Sequence, residues 1–295
     1  MPTPPDDALA PDGAAVRRRP EQLLLAFMGE LMVAGEIGPL PASVLIGVLA
    51  ELGVGEAATR AALTRMAGRG LLAPQRVGRT VSYGLTAQSE RVLREARDRV
   101  FDPEPFAPRG AGWTLVSFSV PESRRDVRHR VRAQLAWAGF GLLRDGLWIA
   151  PGEVDVAQAL GGVRDDGDGR DDDVEILAFR AREVPGFSAA RSVRTAWRLD
   201  AMRARHEQFQ QRWAQAIRDA APDAGAVAGP VGAHALRDVT ALVADWLDLL
   251  RAVPRLPVEH LAPDWPATRS VETFARLHAA LAGPARDELA RRLEP

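Results

Sequence analysis

The stretch E56-A-A-T-R-A-A-L-T-R-M-A-G-R-G-L-L72, followed by Q75-R-V-G-R-T80, decides the fold of the N-terminal third of the chain. At 100° per residue, Thr59, Ala62, Leu63, Met66 and Gly70 fall within about 100° of arc and form a core face. Ala57, Arg60, Ala61, Thr64, Arg65 and Gly68 fall on the opposite side. A helix that merely faces water normally carries mixed charges. Here the one acid is Glu56, in the first turn, where the macrodipole favours it. Small residues let a helix backbone lie deep in a major groove, and arginine can bond guanine O6 and N7 there as a fork. Arg69 sits at the edge of the face. Two roles stay open for it, a phosphate contact and electrostatic capping of the helix end.

The flanking sequence gives this helix its context. Glu21–Val33 reads as a first helix, with Leu24, Phe27, Met28 and Leu31 on one stripe. Gly35–Pro41 breaks it. Ser43–Leu52 is a second helix ending at Gly53, and Glu56–Arg69 is the third. Leu71–Arg76 and Thr80–Leu85 are strand-like and turn at Val77-Gly78-Arg79. Thr86 is an N-cap for a fourth helix reaching about Val100. Three helices, a hairpin and a helix make a winged helix-turn-helix. Tyr83, the only tyrosine, packs the wing onto the helices. Residues 56–82 hold five arginines and one acid, a local net of +4 in a chain whose formal charge is −1. That is the footprint of a phosphate-binding surface. The expected DNA-contacting residues are Arg60, Thr64, Arg65, Arg69, Arg76 and Arg79.

Farther along, F101-D-P-E-P-F-A-P-R-G-A111 reads as a linker. Trp113–Val120 is a buried-strand run and Arg124–Trp137 a helix. Leu142–Arg144 and Leu147–Ala150 form a hairpin through Asp145-Gly146. Val154–Leu160 is a second helix, and Val174–Phe179 a closing strand after the loop 161–173. The order β-α-β-β-α-β is that of a ferredoxin-like unit. The remainder is helical: a long helix with Leu199, Met202, His206, Phe209 and Trp213 on one face, then Leu236–Leu250 and Val271–Leu281. The fold class is therefore α+β. The domain limits are a disordered tail at 1–19, a winged helix at 20–100, a linker at 101–111, a ferredoxin-like dimerisation domain at 112–180 and a helical C-terminal domain at 181–295.

Composition excludes several classes of chemistry. The 295 residues are 46% hydrophobic and 26% charged, as in a soluble globular protein. There is no cysteine, so disulfides, thiolate metal sites and cysteine nucleophiles are absent. There is no lysine either, so all 38 basic residues are arginine. Every cationic contact is a planar guanidinium. No uncharged run is long enough to span a bilayer. The acidic, proline-rich start is unlike a signal peptide, which leads to an expected cytoplasmic location. The aspartate-rich loop 165–173 fails as a calcium loop, since Arg170 and Leu177 stand at ligand positions. The five histidines show no metal-ligand spacing. G139-F-G-L-L-R144 lacks the third glycine of a dinucleotide loop, and no nucleophile elbow or Walker sequence occurs. No enzyme activity and no cofactor are expected. Seven tryptophans are mostly core residues, one or two of which could line an aromatic effector site.

Five segments in order resemble the PaaX family of bacterial repressors of phenylacetic acid catabolism. Three are L52-G-V-G-E-A-A-T-R-A-A-L-T-R-M-A-G-R-G-L-L72, V77-G-R-T-V-S-Y-G-L-T86 and G112-W-T-L-V-S-F-S-V-P-E122. The other two are W-A-G-F-G-L-L-R-D-G-L-W-I-A-P at residues 137–151 and R-L-P-V-E-H-L-A-P-D-W-P at residues 255–266. The resemblance spans roughly residues 20–290. It implies a homodimeric transcriptional regulator with a winged helix, a central domain similar to the CRISPR-associated spacer-acquisition nucleases, and a helical C-terminal domain. It also implies double-stranded operator DNA as partner, and release by an aryl-CoA thioester, phenylacetyl-CoA in the namesake. The effector-binding residues are not readable from sequence. His260 and Ala267 depart from the family pattern, which has an apolar residue and glycine there. Two other readings compete. One is a ligand sensor that acts through protein partners without DNA. The other is a metal-dependent nuclease of the CRISPR-associated type, disfavoured because Ser119 stands where that chemistry needs a carboxylate.

Overall fold

A computed structural model describes residues 18–33, 37–77, 80–144, 146–160, 175–186, 189–219 and 234–294. The tail 1–17, Arg79 of the expected wing, Asp145 and the aspartate-rich loop lie outside the described residues. The chain divides into two compact units. The first takes residues 1–97, 230–244 and 280–295, and the second takes 98–229 and 245–279. Residues of the expected C-terminal domain thus belong to both units.

In the first unit, α1 (Pro20–Phe27) starts with proline at N1, where its missing N–H costs nothing. It runs on as a wider π-type turn over Met28–Val33. The short β1 (Leu40–Pro41) precedes α2 (Ala42–Glu51) and α3 (Glu56–Gly68). Both α2 and α3 end in the same way. Gly53 and Gly70 adopt φ of +80° and +70°, which glycine alone enters without strain. The following N–H of Val54 and Leu71 then reaches back to Leu49 O and Met66 O, each at 2.9 Å. These are Schellman closures, and they satisfy carbonyls that a helix end leaves orphaned.

Strands β2 (Leu72–Val77) and β3 (Thr80–Leu85) form an antiparallel hairpin, with Leu72 opposite Leu85 and Arg76 opposite Val81. β1 adds to the other edge of β3, giving the order β1-β3-β2. Tyr83 is half-buried, flanked by Leu40 on one side and Pro74 on the other. Thr86 caps α4 (Ala87–Val100) as expected. Its N–H donates to Ser89 Oγ at 2.9 Å, and Ser89 N–H returns a bond to Thr86 Oγ1 at 3.2 Å. The core draws on Leu23, Leu24, Phe27, Leu45, Leu49, Leu63, Met66 and Leu72, all buried.

The second unit contains the sheet β5-β6-β4-β7, formed by β4 (Trp113–Ser119), β5 (Gly141–Arg144), β6 (Leu147–Pro151) and β7 (Glu175–Ala181). All its pairings are antiparallel. With α5 (Arg125–Trp137) and α6 (Val156–Ala159), this is the β-α-β-β-α-β order read from the sequence. One face packs Val116, Val127, Val131, Leu135, Phe140 and Trp148 together. On the other face, Leu177 and Phe179 of the edge strand β7 stay exposed, with Leu115 directly opposite Phe179. A short helix missed in the sequence, α7 (Ala190–Ala196), lies against β5. It explains Gly141, because any Cβ there would come within 2.7 Å of Ala196.

Three long helices complete the chain: α8 (Leu199–Asp219), α9 (Ala235–Ala252) and α10 (Ala267–Leu293). The last runs well past the expected end at Leu281, straight through Pro284. A proline inside a helix forfeits one bond and crowds the turn before it. Here Ala285 and Leu289 beyond it are fully buried. Glu288 also accepts the Leu236 N–H at the start of α9, at 2.9 Å, so that carboxylate caps a helix N-terminus. The segment read as a linker is anchored within the second unit. Phe101 meets Phe274 at a tilt and His278 edge-on, and Asp102 pairs with Arg255 at 2.8 Å.

Candidate nucleic-acid interface

The α2–turn–α3 pair presents one face of α3 to solvent. Thr59, Ala62, Leu63 and Met66 are buried, as their spacing predicts. Gly70 is not on that core face. It is exposed and forms the left-handed residue of the helix stop. Ala57, Ala58, Arg60, Ala61, Thr64, Arg65, Gly68 and Arg69 are all exposed. The surface is therefore small side chains punctuated by three guanidinium groups.

Each guanidinium has a distinct setting. Arg60 pairs with Glu56 one turn back, at 2.8 Å, with both side chains 61% exposed. An exposed pair of this kind contributes about 0.3–0.5 kcal/mol and is easily exchanged for another anion. Arg65 and Arg69, one turn apart, converge on one carboxylate. Arg65 Nε lies 3.0 Å from Glu21 Oε1 and Arg69 Nη2 lies 2.5 Å from Glu21 Oε2. Burial works against the charged form of Glu21. Even so, hydrogen bonds from Arg65 and Arg69, and their charges, hold its carboxyl below the ordinary range.

Glu21 escaped the sequence reading, which counted acids only between residues 56 and 82. It lies 44 residues before Arg65 and 48 before Arg69, so no local pattern could reveal it. Its presence lowers the net charge of the surface by one. It also fixes where both guanidinium groups point.

Thr64 is exposed between these arginines along the helix. Arg76 is exposed on β2. Arg79 lies outside the described residues. Thr86 Oγ1 donates to Gly70 O at 2.9 Å, tying the stop of α3 to the start of α4. The hairpin between them is thereby held at the base of α3.

Elsewhere, Ser119 ends β4 and stands opposite Glu175 of β7. Among the described residues, no three His, Asp or Glu side chains converge as a metal site would need. None of the described helices is long and apolar enough to cross a membrane. His260, the departure from the family pattern, lies over Trp113 at 5.6 Å between ring centres. Its Nε2 is 3.2 Å from Glu183. The other departure, Ala267, is the first residue of α10.

Three family models match successive parts of the chain. The PaaX-like protein model covers residues 19–89, the PaaX protein central Cas2-like domain covers 107–163, and the PaaX-like protein C-terminal domain covers 197–291. The transcriptional repressor PaaX of Escherichia coli (strain K12) is 30% identical over 174 residues, which is 57% of this chain and 51% of that protein. The chain thus spans about half the length of the curated relative it matches. Among solved structures, the uncharacterized protein Rv0674 from Mycobacterium tuberculosis aligns over 92% of this chain and 97% of its own. The TM-score is 0.52 at 24% identity, a likeness of fold alone. The Cas2-like description falls on the antiparallel sheet, and the mixed helix and sheet content is α+β. With all three models in chain order over most of its length, the chain belongs to the PaaX family.

Proposed function

We propose that the chain is a transcriptional repressor whose first unit is a winged helix-turn-helix, with α3 entering the major groove of operator DNA. The observation that carries this reading is the solvent face of α3. It combines small side chains, which allow close approach of the backbone, with Arg60, Arg65 and Arg69. Arg65 is assigned to a guanine edge. Thr64 contacts a neighbouring base or phosphate. Arg60 and Arg69 bind phosphates, as do Arg76 and Arg79 of the wing. Phosphate contacts position the protein, and base contacts specify the site. The reading assigns no catalytic step and places the protein in the cytoplasm with its operator.

Two copies of the chain act together on the DNA. Support comes from the exposed Leu177 and Phe179 on the outer face of β7, beside Leu115. Apolar pairs of this kind on an edge strand invite a partner. An aryl-CoA thioester, with phenylacetyl-CoA as the first candidate, releases the protein from DNA. Its site lies outside the winged helix. The name of the curated relative supports repression, and the effector class is what the family resemblance implies.

The test is retention of labelled duplex from the region around the protein's own gene. Retention is expected at low salt, loss at high salt, and loss again on adding phenylacetyl-CoA. A protein that leaves the duplex unretarded at low salt would remove the DNA-binding reading and favour a sensor acting through protein partners.

A further inference from the structure

In the second unit, four guanidinium groups gather around one carboxylate. Asp102, in the segment after α4, is bonded by Arg255 at 2.8 Å, and Arg109 Nη2 lies 4.0 Å from the same oxygen. Arg255 also donates to Ala107 O at 3.3 Å. Arg99, near the end of α4, donates to Leu250 O in the last turn of α9, at 2.7 Å. Arg251 follows Leu250 in that turn and is exposed. Among the described residues it makes no hydrogen bond and no ion pair.

Two of these arginines have structural roles. Arg255 ties down the segment 102–107, and Arg99 closes the end of α9, where a cation is favoured. Arg109 and Arg251 have no such bonds. The Arg109 side chain is 69% exposed, and 4.0 Å from Asp102 is too long for a hydrogen bond. Charge shows what is left over. Asp102 supplies one negative charge, and the end of α9 roughly half of one. Against four guanidinium groups, about two and a half positive charges stay uncompensated. Asp102 is fully ionised: burial pushes its carboxyl up, but the Glu104 N–H, then Arg255 and the charge of Arg109, hold it below the ordinary range. The surrounding protein, followed by the like charges of Arg255, Arg251 and Arg109, presses Arg99 below its ordinary range. Glu153, whose N–H bonds Arg109 O at 2.6 Å, gives its carboxylate to Arg180 at 2.7 Å.

We propose that Arg99, Arg109, Arg251 and Arg255 form a surface site for a small organic phosphate, with the exposed forks of Arg109 and Arg251 as its main contacts. A phosphate monoester carries about −1.5 to −2 at pH 7, which matches the excess, and a guanidinium binds it through two parallel hydrogen bonds. Arg99, Arg109 and Arg251 are exposed, so phosphate groups reach the site without a cavity. The inference rests on the effector reading above for its ligand. The site takes the phosphate-bearing half of a CoA thioester and makes no demand on the acyl group.

The experiment titrates the full chain by calorimetry with coenzyme A and with pantetheine, the part of that molecule that carries no phosphate. Coenzyme A is expected to bind, less tightly as salt rises, and pantetheine to bind roughly ten- to a hundredfold more weakly. In Arg109→Ala/Arg251→Ala, affinity for coenzyme A is expected to fall by roughly ten- to a hundredfold. Equal affinity of the two proteins for coenzyme A, or no binding to the wild type, overturns the site. So does a variant that loses duplex DNA with no coenzyme A present, because the patch is then a DNA contact. Release of DNA by phenylacetyl-CoA separates this inference from the reading beneath it. If wild type and variant release DNA alike, the effector reading stands and this location for its phosphates falls. If neither releases DNA while coenzyme A still distinguishes the two proteins, the phosphate site stands and the effector reading falls.

Discussion

Two helices of this chain, α3 and α5, are each 13 residues long and rich in arginine, yet their surroundings differ. On α5 the guanidinium groups of Arg125, Arg128 and Arg130 are neutralised locally. Arg125 and Arg128 share Glu122 at 2.5 and 3.1 Å, and Arg130 pairs with Asp126 at 3.4 Å. Arg128 also donates to Val120 O at 2.7 Å, closing the turn that starts the helix. On α3 the helix supplies one acid of its own, and Arg65 and Arg69 draw on Glu21 of α1 instead. Between its arginines α3 carries alanine, threonine and glycine, and a basic hairpin follows. Arginine count alone would favour α5, which holds four against two within α3. What separates them is the size of the side chains in between and the source of the counter-charge.

This contrast can be broken at named positions. The largest effect is expected from Arg65→Ala. Loss of a forked base contact costs about 1–3 kcal/mol and relaxes discrimination at one position. Titration against operator and scrambled duplexes should show a drop of roughly ten- to a hundredfold for the operator alone. An unchanged preference would remove Arg65 from the base-reading role. Next, Arg76→Ala is expected to weaken binding to all duplexes alike and reduce the salt slope by about 1, and Arg79→Ala the same. A sequence-selective loss in either variant would assign base contacts to the wing.

Glu21→Gln should act in the opposite direction. It removes the carboxylate that competes with DNA for two guanidinium groups, so affinity for any duplex is expected to rise a few-fold. The same variant has a pH signature. A carboxylate whose folded pKa is depressed contributes stability above its unfolded value and loses it as pH falls through the lower folded value. Denaturant midpoints of the wild-type chain should therefore fall in that acidic window by more than those of the variant. Equal acid sensitivity would mean that the pair of bonds to Glu21 is not maintained in solution. The smallest effect is expected on α5. Arg132→Ala, on its exposed face, should leave DNA binding unchanged and stability within about 0.5 kcal/mol.

Much of the fold was legible because periodicity and punctuation agreed. The helix stops at Gly53 and Gly70, the cap at Thr86 and the β-α-β-β-α-β order all rest on local chemistry. Two elements were not legible for physical reasons. The segment 190–196 has one buried apolar residue, Val193, and is helical because it lies against β5. Gly283-Pro284 signals a stop, but burial of Ala285 and Leu289 carries α10 to Leu293. Trp137, on the other hand, is 74% exposed at the end of α5, where an aromatic residue suggested core. In the candidate interface, the exposed face of α3 could be read from spacing. Its partner Glu21 could not, because it meets the arginines only through the tertiary fold. The hydrogen bond between His206 and Ser270 likewise joins α8 and α10 in a way that no sequence pattern encodes.

The central claim is that α3 carries a phosphate-binding and base-reading surface. The most direct measurement is the affinity of the full chain for duplex DNA as a function of salt, for the wild type and for Arg60→Ala/Arg65→Ala/Arg69→Ala. Each neutralised phosphate contributes about −0.9 to the slope of log affinity against log salt. A steep negative slope is predicted for the wild type, and a slope shallower by about two units for the triple variant, in which two of the three removed arginines are phosphate contacts. A flat wild-type line, or a variant with the same steep slope, would contradict the account.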